Sequence, residues 1–449
     1  MRAKVALLLL ACACSEHGST PGDAGDDGRT TILVTPATPN RDLDLLFMID
    51  DSPTTAAFQQ SLRDNFPLFV NVLSALPGGL PNLHLGVITS DMGTSASGSA
   101  PGAAIGQIGQ GGCAGVGKNG ELQVGAAPVT GTFVSDIELT DGSRQRNYTG
   151  TLADVFTQMA QVGSGGCGFE QPLRAVQAAL DNNPANAGFV RPDALLGVVL
   201  LTDEDDCSAK DSSLYSPTAD ATLGALQSFR CTRFGVTCTT GGQTPDAMNQ
   251  VGSKTGCGAN VGSALLDNPA ILASVLTSLK GDLAKIVVAG IAGNTDPVAV
   301  ELRTPPGGGT AIPALAHSCS FIDTAGQTEV ADPAVRIKAF LDLFSGRSSF
   351  STICQQDLSG ALGQIGQLVG AAMGSACVPI FLPPEADCVV EDVLGATVTP
   401  IIPCDSIDTP TCWRLVFDPS CLVGNQQRLV VVRSVAPPPE TFTRLRCKP

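Results

Sequence analysis

The sequence predicts an α/β protein: a doubly wound, mostly parallel sheet flanked by helices, with a small disulfide-rich β region at the C-terminal end. Three observations carry that prediction. Leu45–Ile49 and Ala194–Leu201 are short runs that are apolar throughout, and each ends in a burst of oxygen-bearing side chains. Asp50, Asp51, Ser52 and Thr54 follow the first; Asp203, Glu204, Asp205 and Asp206 follow the second. Runs so short and so uniformly apolar suit strands covered on both faces, as those of parallel sheets are. The second observation is that strand-like and helix-like segments alternate along the chain. The third is a change of texture after residue 376, to six cysteines, many prolines and short β-like runs.

In chain order, residues 1–14 place two positive charges before a short apolar run that ends in small residues and cysteine. That pattern is a secretory signal and not a membrane span. Its ending resembles a bacterial lipobox, which would lipidate the first cysteine after cleavage. Leu9-Leu10-Ala11-Cys12 matches the pattern better. Parity instead favours Cys14, because cleavage there leaves fourteen other cysteines, an even number. A plain secretory signal without lipid is the alternative to both. Residues 15–41, rich in Ser, Gly, Asp, Pro and Thr, read as a flexible tether.

The globular part, 42–375, opens with the strand ending at Ile49. Phe58, Leu62, Phe66, Phe69, Val70 and Leu73 then recur at helical spacing, with Pro67 expected to kink or break that helix. Leu83–Ser90 reads as a strand in which His84 is a strand residue and not a ligand. Residues 92–130 are a Gly/Ala/Ser-rich insertion around Cys113. Phe133–Leu139 suits a strand and Leu152–Val162 a helix. Pro172 suits the first turn of a helix running to Leu180. Residues 208–262 form a second insertion. Pro269–Leu279, Val335–Phe344 and Leu358–Met373 read as helices, and Lys285–Ile291 as another buried strand. Residues 376–449 form the cysteine-rich β tail.

Composition narrows the function. With 42 acidic against 26 basic residues the net charge is −16, which excludes nucleic acid as a partner, since phosphate binding needs clustered Lys and Arg. Sixteen cysteines without paired CxxC spacings, beside only three histidines, fit disulfides in an oxidising compartment and not structural zinc. Asp, Ser and Thr at alternate positions offer hard oxygen donors on one side of a loop, which suits a divalent cation. The plainer alternative is that these acids cap strand ends and a helix start.

The order of these motifs resembles the von Willebrand factor A domain, over about residues 42–375, in the cysteine-rich form found in predicted lipoproteins of Gram-negative bacteria. The motifs are a strand, Asp50-x-Ser52-x-Thr54, a helix, the turn Gly165-Gly166-Cys167, and a strand ending Thr202-Asp203. The resemblance implies a metal-ion-dependent adhesion site whose ligands would be Asp50, Ser52, Thr54 and Asp203. It implies Mg²⁺ or Mn²⁺ as the cation, held partly through water, and a partner's carboxylate to complete its shell. The chain departs from the family at Cys167, which stands where Thr is usual, and a thiol is a poor ligand for a hard cation. Asp51 and Asp205 are candidate extra ligands, and extra carboxylates favour Ca²⁺. On the resemblance, Cys167 and Cys207 follow strand ends at one sheet edge and are expected to pair as a disulfide.

No enzyme is expected. The chain has no Gly-x-Ser-x-Gly elbow and no phosphate loop with Lys, and its histidines are too few for a hydrolytic triad. A hydrolase is therefore the least favoured reading. The leading expectation is an exported binding or adhesion module of the cell envelope, held to the outer membrane by lipid alone. Its ligand would be a protein or peptide. A metal-free structural scaffold of the envelope is the alternative.

Overall fold

The strand Asp42–Ile49 is buried from Leu43 onward and lies in parallel between Leu195–Leu201 and Asn82–Thr89. A computed structural model describes residues 28–448 apart from 39, 77, 306–307, 375, 384, 405–410, 419–420, 422–425 and 439. In it these strands form the middle of a seven-stranded sheet. The order across that sheet is Ser348–Thr352, Ile286–Ala292, Leu195–Leu201, Asp42–Ile49, Asn82–Thr89, Val134–Glu138, Arg144–Arg146. The first five run parallel, and the last two each pair antiparallel with the strand before them, so the sheet is mixed.

Strand periodicity sends alternate residues to opposite faces. Leu43, Leu45, Phe47 and Ile49 pack with the helices Ala56–Ser74, Leu152–Met159 and Ser359–Ala372. Leu46 and Met48 pack with Pro172–Leu180, Ala270–Lys280 and Val335–Leu341. Two apolar layers therefore cover the sheet, which is why its central strands carry no polar face. Pro67 does not break the first helix. It lies exposed, where the carbonyl it leaves unpaired can meet water. At the sheet's other end His84 Nδ1, on the strand Asn82–Thr89, sits 2.8 Å from the Phe189 carbonyl.

The insertions differ in kind. Residues 92–130 hold no regular element beyond isolated bridges such as Ile105 with Cys113. The second insertion builds a helix, Phe229–Gly235, and two strands, Val236–Thr240 and Gly252–Ala259. Those strands are joined by Val298–Arg303 and Ile312–Leu315 into a separate four-stranded sheet. The unit therefore reaches well past residue 262.

The tail forms a six-stranded sheet with three internal disulfides, Cys377–Cys421, Cys388–Cys447 and Cys404–Cys412. One of its strands corrects the expectation of a tether over 15–41. Thr30–Pro36 pairs antiparallel with Phe442–Cys447. Its Leu33 and Thr35 are buried on either side of the exposed Val34, and Thr35 Oγ1 donates to the Ala371 carbonyl at 3.0 Å. The β-branched residues of Thr31-Ile-Leu-Val-Thr35 support a strand once a partner edge exists. The signal segment, Cys12, Cys14 and the start of the tether lie outside the described residues. Among the described residues no helix is long and apolar enough to cross a membrane.

Candidate functional site

After Asp42–Ile49 the chain turns to one face of the sheet, and the helix Ala270–Lys280, which comes after the second insertion on the way from Leu195–Leu201 to the next strand, lies on the other. Adjacent parallel strands whose connections part in this way open a crevice at their carboxyl ends, where ligands of such sheets bind. Asp50 and Asp203 both fall there. The Asp50 N–H donates to the Leu201 carbonyl at 2.9 Å, which stitches the two strand ends together.

Asp50 is buried and well supplied with donors. Its Oδ1 accepts from the Ser52 N–H (2.9 Å) and Ser90 Oγ (3.1 Å), and its Oδ2 from Thr202 Oγ1 (2.6 Å). Burial nonetheless raises its pKa, the hydrogen bonds from Thr202, Ser52 and Ser90 working against that rise. Gln59, one turn into the first helix, donates to the carbonyls of Asp50 (2.8 Å) and Gly163 (2.7 Å), locking two loops together. Ser52 Oγ and Thr54 Oγ1 stand 3.3 Å apart at the crevice. Asp203 is 3% exposed, yet its Oδ1 has no hydrogen-bond partner. Burial, then the charges of Asp50 and Glu204, hold its pKa well above the carboxylate range, and the Thr54 hydroxyl eases it. Asp50, Ser52, Thr54 and Asp203 are thus brought together. They leave two hydroxyls and one orphaned carboxylate oxygen free of strong donors.

The two extra candidates are committed elsewhere. Asp51 Oδ2 accepts from Lys118 Nζ at 2.7 Å, a cation delivered by the first insertion. Burial raises Asp51 to about 6, with Lys118 pulling the other way. Asp205 turns from the crevice to the start of the helix Val335–Leu341, where it accepts the N–H groups of Arg336 (2.9 Å) and Ile337 (3.1 Å). It acts as a helix cap, not a ligand. Asp206 next to it is paired with the fully buried Arg336 at 2.8 Å.

The glycines before Cys167 serve close approach. Gly163 alone of these takes a left-handed conformation, at φ +88°. A Cβ on Gly166 would stand 2.4 Å from Asp51 Oδ1 and 2.7 Å from its Oδ2. Gly166→Ala is therefore expected to cost about 1–3 kcal/mol as overpacking, read as a lower denaturation midpoint with an unchanged slope. Wild-type stability in that variant would show that the loop can yield.

The expected Cys167–Cys207 disulfide is not formed. Cys167 pairs with Cys113 and Cys207 with Cys231. The first insertion is thus stapled to the turn between the helices Leu152–Met159 and Pro172–Leu180, which follows a helix and not a strand, and the second to the loop after Leu195–Leu201. The four sulfurs share one apolar cluster, and the Cys207 N–H donates to the Glu170 carbonyl at 2.8 Å. The two loops are indeed neighbours. The insertions, folding back over them, supply the nearer thiols.

Sequence reasoning also passed over several residues that build the site. Ser90 and Thr202 end their strands in the same polar fashion as Asp50, and that signal was open to reading. Lys118 gave none, lying in an irregular insertion. Glu170 follows the glycine turn whose glycines drew attention instead. It is 1% exposed, and neither of its carboxylate oxygens has a partner. Its pKa is raised far above normal by burial and then by Glu204, which faces it; Glu204 itself is pushed to about 8, first by burial and then by Asp332. Among the described residues no three His, Cys, Asp or Glu side chains converge to hold a metal ion on their own. Any cation here would rely on carboxylate pairs, with hydroxyl and water oxygens completing its shell.

No protein-family model matches the chain, and no curated protein matches it. Among solved structures it is similar to the human COPII-coat protein Sec24c, at 11% identity and a TM-score of 0.32. That likeness covers 96% of this chain and 44% of the other, so this chain spans less than half of that protein's length. It is also similar to an aerotolerance-related membrane protein from Bacteroides fragilis carrying multiple mutations to serine, at 11% identity and a TM-score of 0.25. That match covers 73% of this chain and 98% of the other. Likenesses so slight carry no argument about the site, which stands on the chain's own residues.

Proposed function

We propose that this chain is a lipid-anchored binding module of the cell envelope whose A-type, doubly wound domain recognises a protein or peptide through a divalent cation. Ser52, Thr54 and Asp203 would hold the cation, with Asp50 behind them orienting Ser52 through its N–H. The observation that carries the reading is the buried, partnerless Oδ1 of Asp203 beside the Ser52–Thr54 hydroxyl pair. An orphaned buried carboxylate oxygen costs free energy unless something positive meets it. A bound cation supplies that charge and, at an open position, a Lewis-acidic seat for a partner's carboxylate. The cysteine at 167 does not compete, since its sulfur is tied to Cys113.

The test is thermal unfolding of the purified protein, disulfides intact, in EDTA and in Mg²⁺, Mn²⁺ or Ca²⁺, beside Asp50→Ala. A ligand that binds only the folded state at a hundred times its Kd adds about 2.7 kcal/mol of stability. The wild type is expected to melt higher with cation and the variant to show no increment. Identical wild-type melting in every condition would remove the cation and leave a metal-free envelope scaffold.

A further inference from the structure

We infer that a second binding surface runs along the helix Pro172–Leu180, where Arg174 seats a carboxylate of a peptide and the neighbouring helix Ala270–Lys280 seats apolar side chains beside it. The inference shares with the reading above only the peptide, and it needs no cation.

The exposed side of Pro172–Leu180 floors an open cavity of about 330 Å³. Arg174, Gln177 and Asp181 line it from the helix and its C-cap, Asn119 from the first insertion, and Asn182 and Asn183 from the loop after the helix. The walls are fixed without a ligand. Asn183 donates to the Asn119 carbonyl at 3.1 Å, and Asn186 to the carbonyls of Gly120 (2.9 Å) and Ala179 (3.0 Å). Gly120 lets the insertion come this close: its φ is +64°, and a Cβ there would stand 2.5 Å from the Ala175 carbonyl oxygen. A cavity preformed in this way loses little further freedom when it is filled.

The donors it presents lack acceptors. Arg174 is placed by its backbone N–H, which donates to Ser208 Oγ at 2.9 Å. Its guanidinium reaches only Ser95 Oγ, from Nε at 3.4 Å, so both terminal nitrogens have no acceptor among the described residues. Burial raises the pKa of Asp267, and the Ser97 hydrogen bond (2.7 Å) and then the Arg174 charge act against that rise. Arg174 and Asp267 nonetheless form no ion pair. Asp181 meets Asn182 Nδ2 at 3.4 Å, and the side chains of Gln177 and Asn119 make no hydrogen bond. In a chain of net charge −16, Lys118 is held by Asp51, Arg191 by Asp44 and Arg336 by Asp206, whereas Arg174 stays uncommitted.

A guanidinium is a planar fork that fits a carboxylate through two parallel N–H···O bonds. Amide side chains beside it both donate to and accept from a peptide backbone. Across Asp181 and Asn182, which line both, the cavity meets a groove of about 590 Å³ against Ala270–Lys280. There Ile271, Val275 and Leu279 form a stripe, Ile271 42% and Leu279 36% exposed. Four residues of helix advance about 6 Å, which nearly matches the about 6.6 Å between alternate side chains of an extended peptide. Neither lining holds an aromatic ring on which a sugar or a base could stack, which favours a peptide. The segment that fits is an acidic residue joined to apolar residues at alternate positions.

The test is selection of random short peptides displayed on phage against the immobilised protein, disulfides intact, in EDTA. The wild type is expected to enrich sequences that join Asp or Glu to alternating apolar residues. The enriched peptide, made synthetically, is then titrated into each variant and followed by fluorescence anisotropy. Arg174→Gln should weaken it roughly tenfold or more, as loss of hydrogen bonds to a charged group does. Exchanging the peptide's acid for its amide should weaken binding to the wild type equally and to Arg174→Gln no further. Ile271→Ser combined with Leu279→Ser should also weaken it while leaving the dependence on the acid intact. Should Arg174→Gln fail to fold, Arg174→Lys takes its place and must weaken the peptide too, having lost the fork. Enrichment without an acid, or wild-type affinity in the Arg174 variant, overturns the inference. So does saturation by glucuronate where no peptide is enriched, which would make the surface a sugar site. Asp50→Ala should bind the peptide as the wild type does, whatever the outcome of the cation test. A loss of binding there, or a need for Ca²⁺, would overturn a separate surface.

Discussion

Replacing Arg336 by methionine is expected to cost about 3–5 kcal/mol of unfolding free energy, the usual loss when one member of a buried ion pair is removed. The guanidinium is fully buried and has four acceptors: Asp206 Oδ2 at 2.8 Å, and the carbonyls of Asp206 (2.7 Å), Asp267 (2.7 Å) and Gly235 (3.3 Å). It therefore ties the loop after Leu201 to the second insertion and to the segment before Ala270–Lys280. Methionine matches the stem in volume but leaves Asp206 uncompensated, although Leu173 N–H (3.1 Å) and Ser208 Oγ (2.5 Å) still reach it. Chemical denaturation of Arg336→Met, Asp206→Leu and the double variant checks the argument. The double variant should recover much of the loss, since an apolar pair of similar volume is often neutral. If Arg336→Met unfolds at the wild-type midpoint, the pair holds nothing together.

Raising the pH from 5 to 8 in EDTA is expected to destabilise the protein. Asp205 is raised from its ordinary 3.8 to about 7 and Asp51 from 3.8 to about 6, both chiefly by burial. Acids whose folded-state pKa is raised bind more protons folded than unfolded, so stability is greatest below the unfolded value and is lost as pH climbs to the folded one. The window therefore runs from about pH 4 to about pH 7 for these two groups, and Glu204, raised by burial to about 8, carries the loss on to higher pH. At about 1.4 kcal/mol per pH unit, Asp205 contributes about 4 kcal/mol and Asp51 about 3 kcal/mol at most. Melting temperatures across that range, with Asp205→Asn as the flattened comparison, decide the matter. A melting temperature that holds level or rises with pH would mean that both acids are ionised without strain. Saturating Ca²⁺ should offset part of the loss, because the bound ion favours the ionised cluster.

Much of the frame was legible because it obeys local rules. A strand covered on both faces must be apolar at every position, so Leu45–Ile49 and Leu195–Leu201 declared themselves, and so did the acids where the chain leaves the sheet. The helix Pro172–Leu180 begins at the proline that the first-turn preference picks out. The strand Ser348–Thr352 escaped notice because an edge strand of partial burial is free to be Ser-Ser-Phe-Ser-Thr. Thr30–Pro36 escaped because its partner, Phe442–Cys447, lies some four hundred residues away in the chain.

The sequence by itself thus determined where the central strands lie and that Asp50, Ser52, Thr54 and Asp203 end them at one edge. Only the tertiary structure decided which neighbours those residues keep. Folding of the insertions gave Cys113 to Cys167 and Cys231 to Cys207, and set Lys118 on Asp51. It sent Asp205 to a distant helix start and left Glu170 buried with no donor. The reason is physical: periodicity and capping act over a few residues, whereas pairing, charge compensation and desolvation depend on groups brought close only when the chain has closed on itself.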